Sequence, residues 1–204
     1  MLRSSLIVSI LLFTLALSSC GGPKKPKPTL YLQPMNIKAA GYTLLNNSTF
    51  IFDEKSARLT LTLLRAPEDY DVALIKTLIS RGYHVISMEI VNKTIDEKMI
   101  YNPSMSTLMS NRLGLRKPLD YTSLYQVAMG KGMERTLNRE LKGAFYDSNE
   151  IIRAGKTKKK LLIFMPFKDR ATKAKLTIQE LYIGADTISL AFPFKLIEEG
   201  SEPN

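Results

Sequence analysis

The chain has 204 residues, a net charge of +10, a single cysteine (Cys20) and a single histidine (His84). One cysteine excludes an intrachain disulfide, and one histidine with one thiol excludes the usual zinc ligand sets. The positive surplus is compatible with acidic lipid headgroups or other polyanions, and serves solubility equally well.

The first residues read as an export segment. Arg3 supplies a positive start, and Leu6 to Leu17 is an uncharged apolar run. That run is shorter than the ~20 residues a membrane-spanning helix needs, and fits the hydrophobic region of a signal peptide. Leu17-Ser18-Ser19-Cys20 follows: an aliphatic residue, two small residues, then the cysteine. This resembles a bacterial lipobox. The resemblance implies cleavage before Cys20, a diacylglycerol on its thiol and an acylated new amino terminus. Two or three chains hold a protein firmly on a bilayer where one holds it marginally. The expected location is therefore the cell envelope, on a membrane outside the cytoplasm. Gly21 after the cysteine implies the outer membrane if the source is Gram-negative.

The expected organisation is a signal peptide over 1–19, a lipidated cysteine and linker over 20–31, one domain over 32–197 and a polar tail over 198–204. The glycines and alternating prolines of Gly21 to Pro28 disfavour helix and predict an extended tether. Its Lys24, Lys25 and Lys27 could touch anionic headgroups. A domain of about 150 residues buries roughly 68–70% of its extended surface, enough for a real core.

Strand patterns begin near Gly41. Tyr42 to Phe52 carries two apolar stretches around an Asn46-Asn47-Ser48 turn, and Arg58 to Leu64 alternates with Leu59, Leu61 and Leu63 on one face. Pro67 to Arg81 changes period. Val72, Ile75, Leu78 and Ile79 fall at helical spacing, acidic residues precede them, and Gly82 stands where the helix would stop. Tyr83 to Val91 alternates again, His84, Ile86, Met88 and Ile90 forming the more apolar set. Asn92-Lys93-Thr94 marks a turn. Short strands are predicted over Lys98 to Tyr101 and Met105 to Met109, then two helices within Tyr121 to Tyr146, interrupted at Gly130 and Gly132. Lys160 to Phe164, Lys175 to Ile183 and Thr187 to Phe194 are the closing strands. Pro193 cannot donate to a ladder, so it predicts an edge or a bulge.

This count of short strands, one helix and one helical insertion predicts a mainly β protein, a β-sandwich. The strand-and-turn from Val85 to Thr94, the Ala154-Gly155 turn before Leu161 to Phe164 and the closing Ile188 to Phe194 strand resemble the immunoglobulin-like domains of bacterial lipoproteins. Trp and an intradomain cysteine pair are missing from the chain, so the antibody-type hallmarks are absent.

Chemical motifs are sparse. A hydrolytic triad would have to use His84, whose neighbours form a strand without a nucleophile elbow; a structural role is expected. Asp53-Glu54, Glu68-Asp69-Asp71, Asp96-Glu97 and Asp147 with Glu150 lack the spacing of an EF-hand and read as solvated turns. Gly130-Lys131-Gly132 lacks the spacing of a P-loop. No metal or cofactor is expected. Lys156, Lys158, Lys159 and Lys160 form the densest basic run, either a contact for an anionic surface or a charged guard before an aggregation-prone strand. Export removes nucleic acid from the expected partners. The expectation is a membrane-anchored, non-catalytic binding or assembly module, held by its N-terminal lipid and able to meet another envelope protein. The alternative is an envelope enzyme or apolar-ligand carrier acting on cell-wall glycan or lipid.

Overall fold

The computed structural model describes residues 29–112, 114–130, 132–167 and 171–198. Cys20, most of its tether and the tail from residue 199 lie outside them. The chain is mainly β, with two antiparallel sheets packed face to face.

In chain order the strands of the first half are β1 (Leu30–Pro34), β2 (Tyr42–Asn46), β3 (Thr49–Asp53), β4 (Ala57–Leu64), β5 (His84–Asn92), β6 (Met99–Tyr101) and β7 (Ser106–Ser110). Then come β8 (Leu115–Arg116), β9 (Glu150–Ile152), β10 (Thr157–Phe164), β11 (Lys173–Ile183) and β12 (Asp186–Glu198). The helices are α1 (Ala73–Ser80), α2 (Tyr121–Met129) and α3 (Glu134–Glu140). One sheet, ordered β10-β5-β4-β3-β2, is a meander of four consecutive strands with β10 added beyond β5. The other runs β1-β12-β11, and β11 then pairs with β7 along its first half and β6 along its second, with β8 and β9 outside those.

The alternation read in the sequence sets the core. Leu59, Leu61 and Leu63 of β4 and Ile86, Met88 and Ile90 of β5 face Leu176, Ile178, Phe192 and Phe194 of the opposite sheet. Phe50 bridges the layers, its ring 5.6 Å from Phe192 and 5.7 Å from Phe194. Each such side chain contributes about 1.5–3 kcal/mol on burial. The step of three between Ile178 and Leu181 is a β-bulge, with Glu180 at φ 56, and it keeps both side chains inward. The bulge falls where the neighbour of β11 changes from β7 to β6.

The outer face of the β10-β5 pair is also covered. Val85, Leu161 and Ile163 point away from the other sheet into a second cluster with Leu74 and Leu78 of α1, Leu124 of α2 and Leu137 of α3. His84 to Met88 are consequently buried without a break. A strand covered on both faces loses the burial alternation that its sequence half shows. α1 begins at Ala73 rather than near Pro67, because Pro67–Asp69 turns separately. There Asp69 accepts the backbone N–H groups of Arg65 and Ala66 instead of serving the helix. Gly82 stops α1 as predicted, at φ +77, with its N–H on the Ile79 carbonyl.

Four features depart from the sequence reading. β1 starts at Leu30, inside the predicted linker, because its pairing with Ile197 and Glu198 of β12 is non-local. β8 and β9, of two and three residues, are too short to show a period. Thr157 to Lys160 is strand, opposite Met88 to Val91, rather than a turn before one. Finally, β12 has a strand on both sides only at Phe194 and Lys195: Leu196 to Glu198 pairs with β1 and Asp186 to Pro193 with β11 alone. Pro193 sits at that transition. Its carbonyl accepts from Met35 N–H at 3.0 Å, and β1 pairing ends beside its missing donor. The edge it predicts is therefore half a strand.

Candidate functional site

The two ends of β5 and β10 carry the chemistry. At the near end, Thr29 brings the chain in against Gly82, which Pro166 also approaches. The far end lies at Asn92 and Thr157, about 23 Å away at roughly 3.3 Å per residue.

The far end holds the basic run. Period two puts Lys158 and Lys160 on the inner face of β10 and Lys159 on the outer one. Glu150 of β9 is buried and meets both inner lysines: it pairs closely with Lys160, and its Oε2 is 3.7 Å from Lys158 Nζ. The Lys160 ammonium also lies 5.9 Å from the centre of the Tyr146 ring. These contacts close the corner where the chain passes from β9 to β10 through the Arg153–Lys156 turn. Lys160 is thus committed to the fold, while Lys156, Lys158 and Lys159 are exposed, Lys158 with Glu150 beside it.

Beneath them, the Tyr146 hydroxyl is 3.2 Å from the carbonyls of Met88 and of Lys158, and the Tyr101 hydroxyl shares a 2.8 Å bond with Ser106. The two rings meet edge to face at 5.0 Å. Burial drives both phenols well above their ordinary range. Asn92 completes this end. Its Nδ2 donates to the carbonyls of Glu97 and Ile152, and its Oδ1 accepts from the Thr94 N–H and hydroxyl. The turn read from Asn92-Lys93-Thr94 is held by this one buried amide. Lys93 ties the same turn to Asp53 at 2.9 Å.

At the near end, His84 is buried beside Phe167, ring centres 5.2 Å apart. Among the described residues its Nε2 has no hydrogen-bond partner, nor do Nε and Nη2 of Arg65. Both residues line a cavity of about 10 Å³ with Tyr31 and Tyr83, a volume that admits roughly one water molecule. Burial, and then the charge of Arg116, lowers the His84 pKa from 6.5 to about 4, so the ring is neutral at neutral pH. Arg116 itself lies over Phe167 at 5.6 Å and donates to the Pro166 carbonyl. Among the described residues, no hydroxyl is hydrogen-bonded to His84 Nε2, and Phe167 is its aromatic neighbour.

The acidic pairs are dispersed. Asp53 pairs with Lys93 and Asp71 with Lys76, and Asp69 serves backbone N–H groups. Among the described residues, no three His, Cys, Asp or Glu side chains gather to hold a metal, and Glu150 is the only buried carboxylate. No described helix is long and apolar enough to cross a membrane. Cys20 lies outside the described residues. Sequence reasoning passed over Glu150 as a partner for the lysine run and Arg65 as a neighbour of His84. The first pairing is set by the packing of one sheet on the other and the second by the β4–β5 ladder, and neither leaves a local signal.

No protein family matches the chain, and no curated protein matches it either. Among solved structures it is similar to the crystal structure of the yjhA protein from Bacillus subtilis, at 10% sequence identity and a TM-score of 0.36, over 63% of this chain and 76% of that one.

Proposed function

We propose that this chain is an envelope lipoprotein, anchored through a lipid on Cys20, whose sandwich is a non-catalytic binding or assembly module. The observation that carries the non-catalytic part is the commitment of Glu150. The only buried carboxylate among the described residues spends its charge on Lys158 and Lys160, so no second carboxylate shares a cleft with it for acid–base work. Against carriage of an apolar ligand, Phe50, Phe192 and Phe194 fill the space between the sheets. The anchor rests on the order of Arg3, the Leu6 to Leu17 run and Leu17-Ser18-Ser19-Cys20. We read the sandwich as a variant of the immunoglobulin-like kind, supported by its two packed antiparallel sheets and the Asn92 turn. Its four-strand meander and helical layer are departures from the antibody arrangement.

The test compares the wild type with Cys20→Ala in the native envelope. The wild type should float with membranes, carry the mass of a diacylglycerol on Cys20, and recover a defined envelope partner after cross-linking. Cys20→Ala should lose the lipid and the membrane association. A wild-type chain that floats without any added lipid mass would remove the anchor, and hydrolysis of cell-wall glycan by the purified protein would remove the non-catalytic reading.

A further inference from the structure

The two outer faces of the sandwich differ. Helices cover much of the β10-β5 face, whereas no described helix packs on the outside of the β1-β12-β11-β7-β8 sheet. A single cross-strand row runs over that bare face: Pro193 stands opposite Lys175, Lys175 opposite Met109, and Met109 opposite Leu115. Met109 and Leu115 are 40% and 51% exposed, and Met165 is 44% exposed. Two shallow grooves each take one residue of the Met109–Leu115 pair into their lining. One, of about 260 Å³, lies among Met35, Met109 and Pro193. The other, of about 400 Å³, lies among Leu115, Lys117, Met165 and Pro166. Together they form one apolar strip.

The strip is edged by positive charge. Lys173 lies directly opposite Lys195, with Lys175 on the same outer face one step along. Like charges directly opposite on a ladder repel, yet none of these three ammonium groups has an ion-pair partner among the described residues. Lys117 extends the charge past Leu115. An apolar strip bordered by uncompensated lysines is complementary to a surface that is anionic outside and apolar beneath.

The position of the incoming chain selects that surface. Thr29 and Pro166 both lie against Gly82, and Pro166 lines the second groove. Eight residues, and so nine steps, separate Thr29 from Cys20, a reach of about 28 Å at roughly 3.1 Å per step. A lipid on Cys20 therefore lies within reach of this end of the strip. The Lys156 turn, at the far end of β10, is about 23 Å further along the strand.

We propose that the bare outer face, from Leu115 and Met165 across Met109 to Pro193, docks on an anionic phospholipid membrane. Its methionines and leucine enter the boundary between headgroups and acyl chains, and Lys117, Lys173, Lys175 and Lys195 face the phosphates. This rests on the anchored reading above. It turns the tethered domain into one that lies on the bilayer in a fixed orientation, leaving the helical layer turned outward. Each lysine held at such a surface adds about fivefold to partitioning at low ionic strength.

The test uses the lipidated full chain on vesicles of phosphatidylcholine alone and of an equal mixture with phosphatidylglycerol. Because a lipid occupies the thiol of Cys20, Met109→Cys can be labelled singly with a polarity-sensitive fluorophore. Emission should rise severalfold and shift to the blue on the mixed vesicles only, and high salt should reverse most of the change. A second variant adding Leu115→Ser, Lys117→Glu and Lys175→Glu should lose the rise while still floating with the vesicles. The same label at Lys156→Cys should stay water-like throughout. A silent Met109→Cys label on a chain that carries its lipid and floats overturns the docking face and leaves the anchor standing. So does a rise that survives the charge reversals, or one that needs an added envelope protein. Absence of lipid mass on Cys20 overturns the anchor, and the docking face with it.

Discussion

At the far end of the sandwich, Asn92 meets four hydrogen-bonding groups and Glu150 meets two ammonium groups. At the near end, one nitrogen of His84 and two of Arg65 are buried without a partner among the described residues. An unmet buried polar group costs about 1–3 kcal/mol. The far end therefore closes the corner between the sheets, while the near end carries polar demand that the fold does not meet. The contrast falls along one pair of strands. β5 and β10 run from His84 and Phe164 to Asn92 and Thr157, and their register distributes the two environments. Rigid closure is built where the chain crosses between sheets, and the less satisfied end is the one through which the chain comes in.

The largest effect expected in breaking this contrast is at Asn92. Asn92→Ala removes a buried donor from the Ile152 carbonyl, leaves the Glu97 carbonyl with the Thr94 hydroxyl alone, and frees the Thr94 N–H. It should lower stability by about 4 kcal/mol, read as a shifted urea midpoint with an unchanged slope. A loss near zero would mean that the turn holds without its amide. Next is Glu150→Ala, which leaves Lys160 largely buried without its counter-charge and should cost about 3 kcal/mol. Adding Lys160→Met should recover most of that loss. A fully additive double variant would show that the pair contributes no coupling.

The smallest of the three is a pH effect at the near end. His84 has a folded pKa of about 4 against an ordinary 6.5, and it faces Arg116, Arg65, Tyr31 and Tyr83. Above pH 6.5 the ring is neutral in both states and stability is unaffected. Between 6.5 and about 4 the unfolded chain takes up a proton that the fold refuses, so stability falls as pH drops. The loss levels off below the folded pKa, at roughly 3 kcal/mol or less. Comparing unfolding of the wild type and His84→Phe from pH 7.5 to 4 isolates the term. Parallel pH profiles would refute it.

Much of this fold is legible in residue patterns. Leu59, Leu61 and Leu63 face one way because a strand has period two. Gly82 ends a helix because the left-handed conformation is open to it, and Asn46 holds its turn by accepting Ser48 N–H at 2.8 Å. These are local effects and need only neighbours in sequence. The lipobox-like run ending at Cys20 is local in the same way, a succession of charge, apolar length and small residues.

Tertiary structure decided the rest through long-range pairing. β1 became a strand because β12 supplies a ladder more than 160 residues away. His84 to Met88 lost their alternation because helices cover the second face of β5. Lys158 and Lys160 were indistinguishable in sequence from Lys156 and Lys159. Period two put the first two on the inner face of β10 and Lys159 on the opposite one, and the packing of the two sheets brought Glu150 to the inner pair. The Met109–Leu115 strip is assembled in the same way, from short strands whose own residues show no apolar run. Composition and period name the elements of this protein. Which side chains meet, and which face is left bare, follow from how those elements pair, because that pairing is set by the whole core.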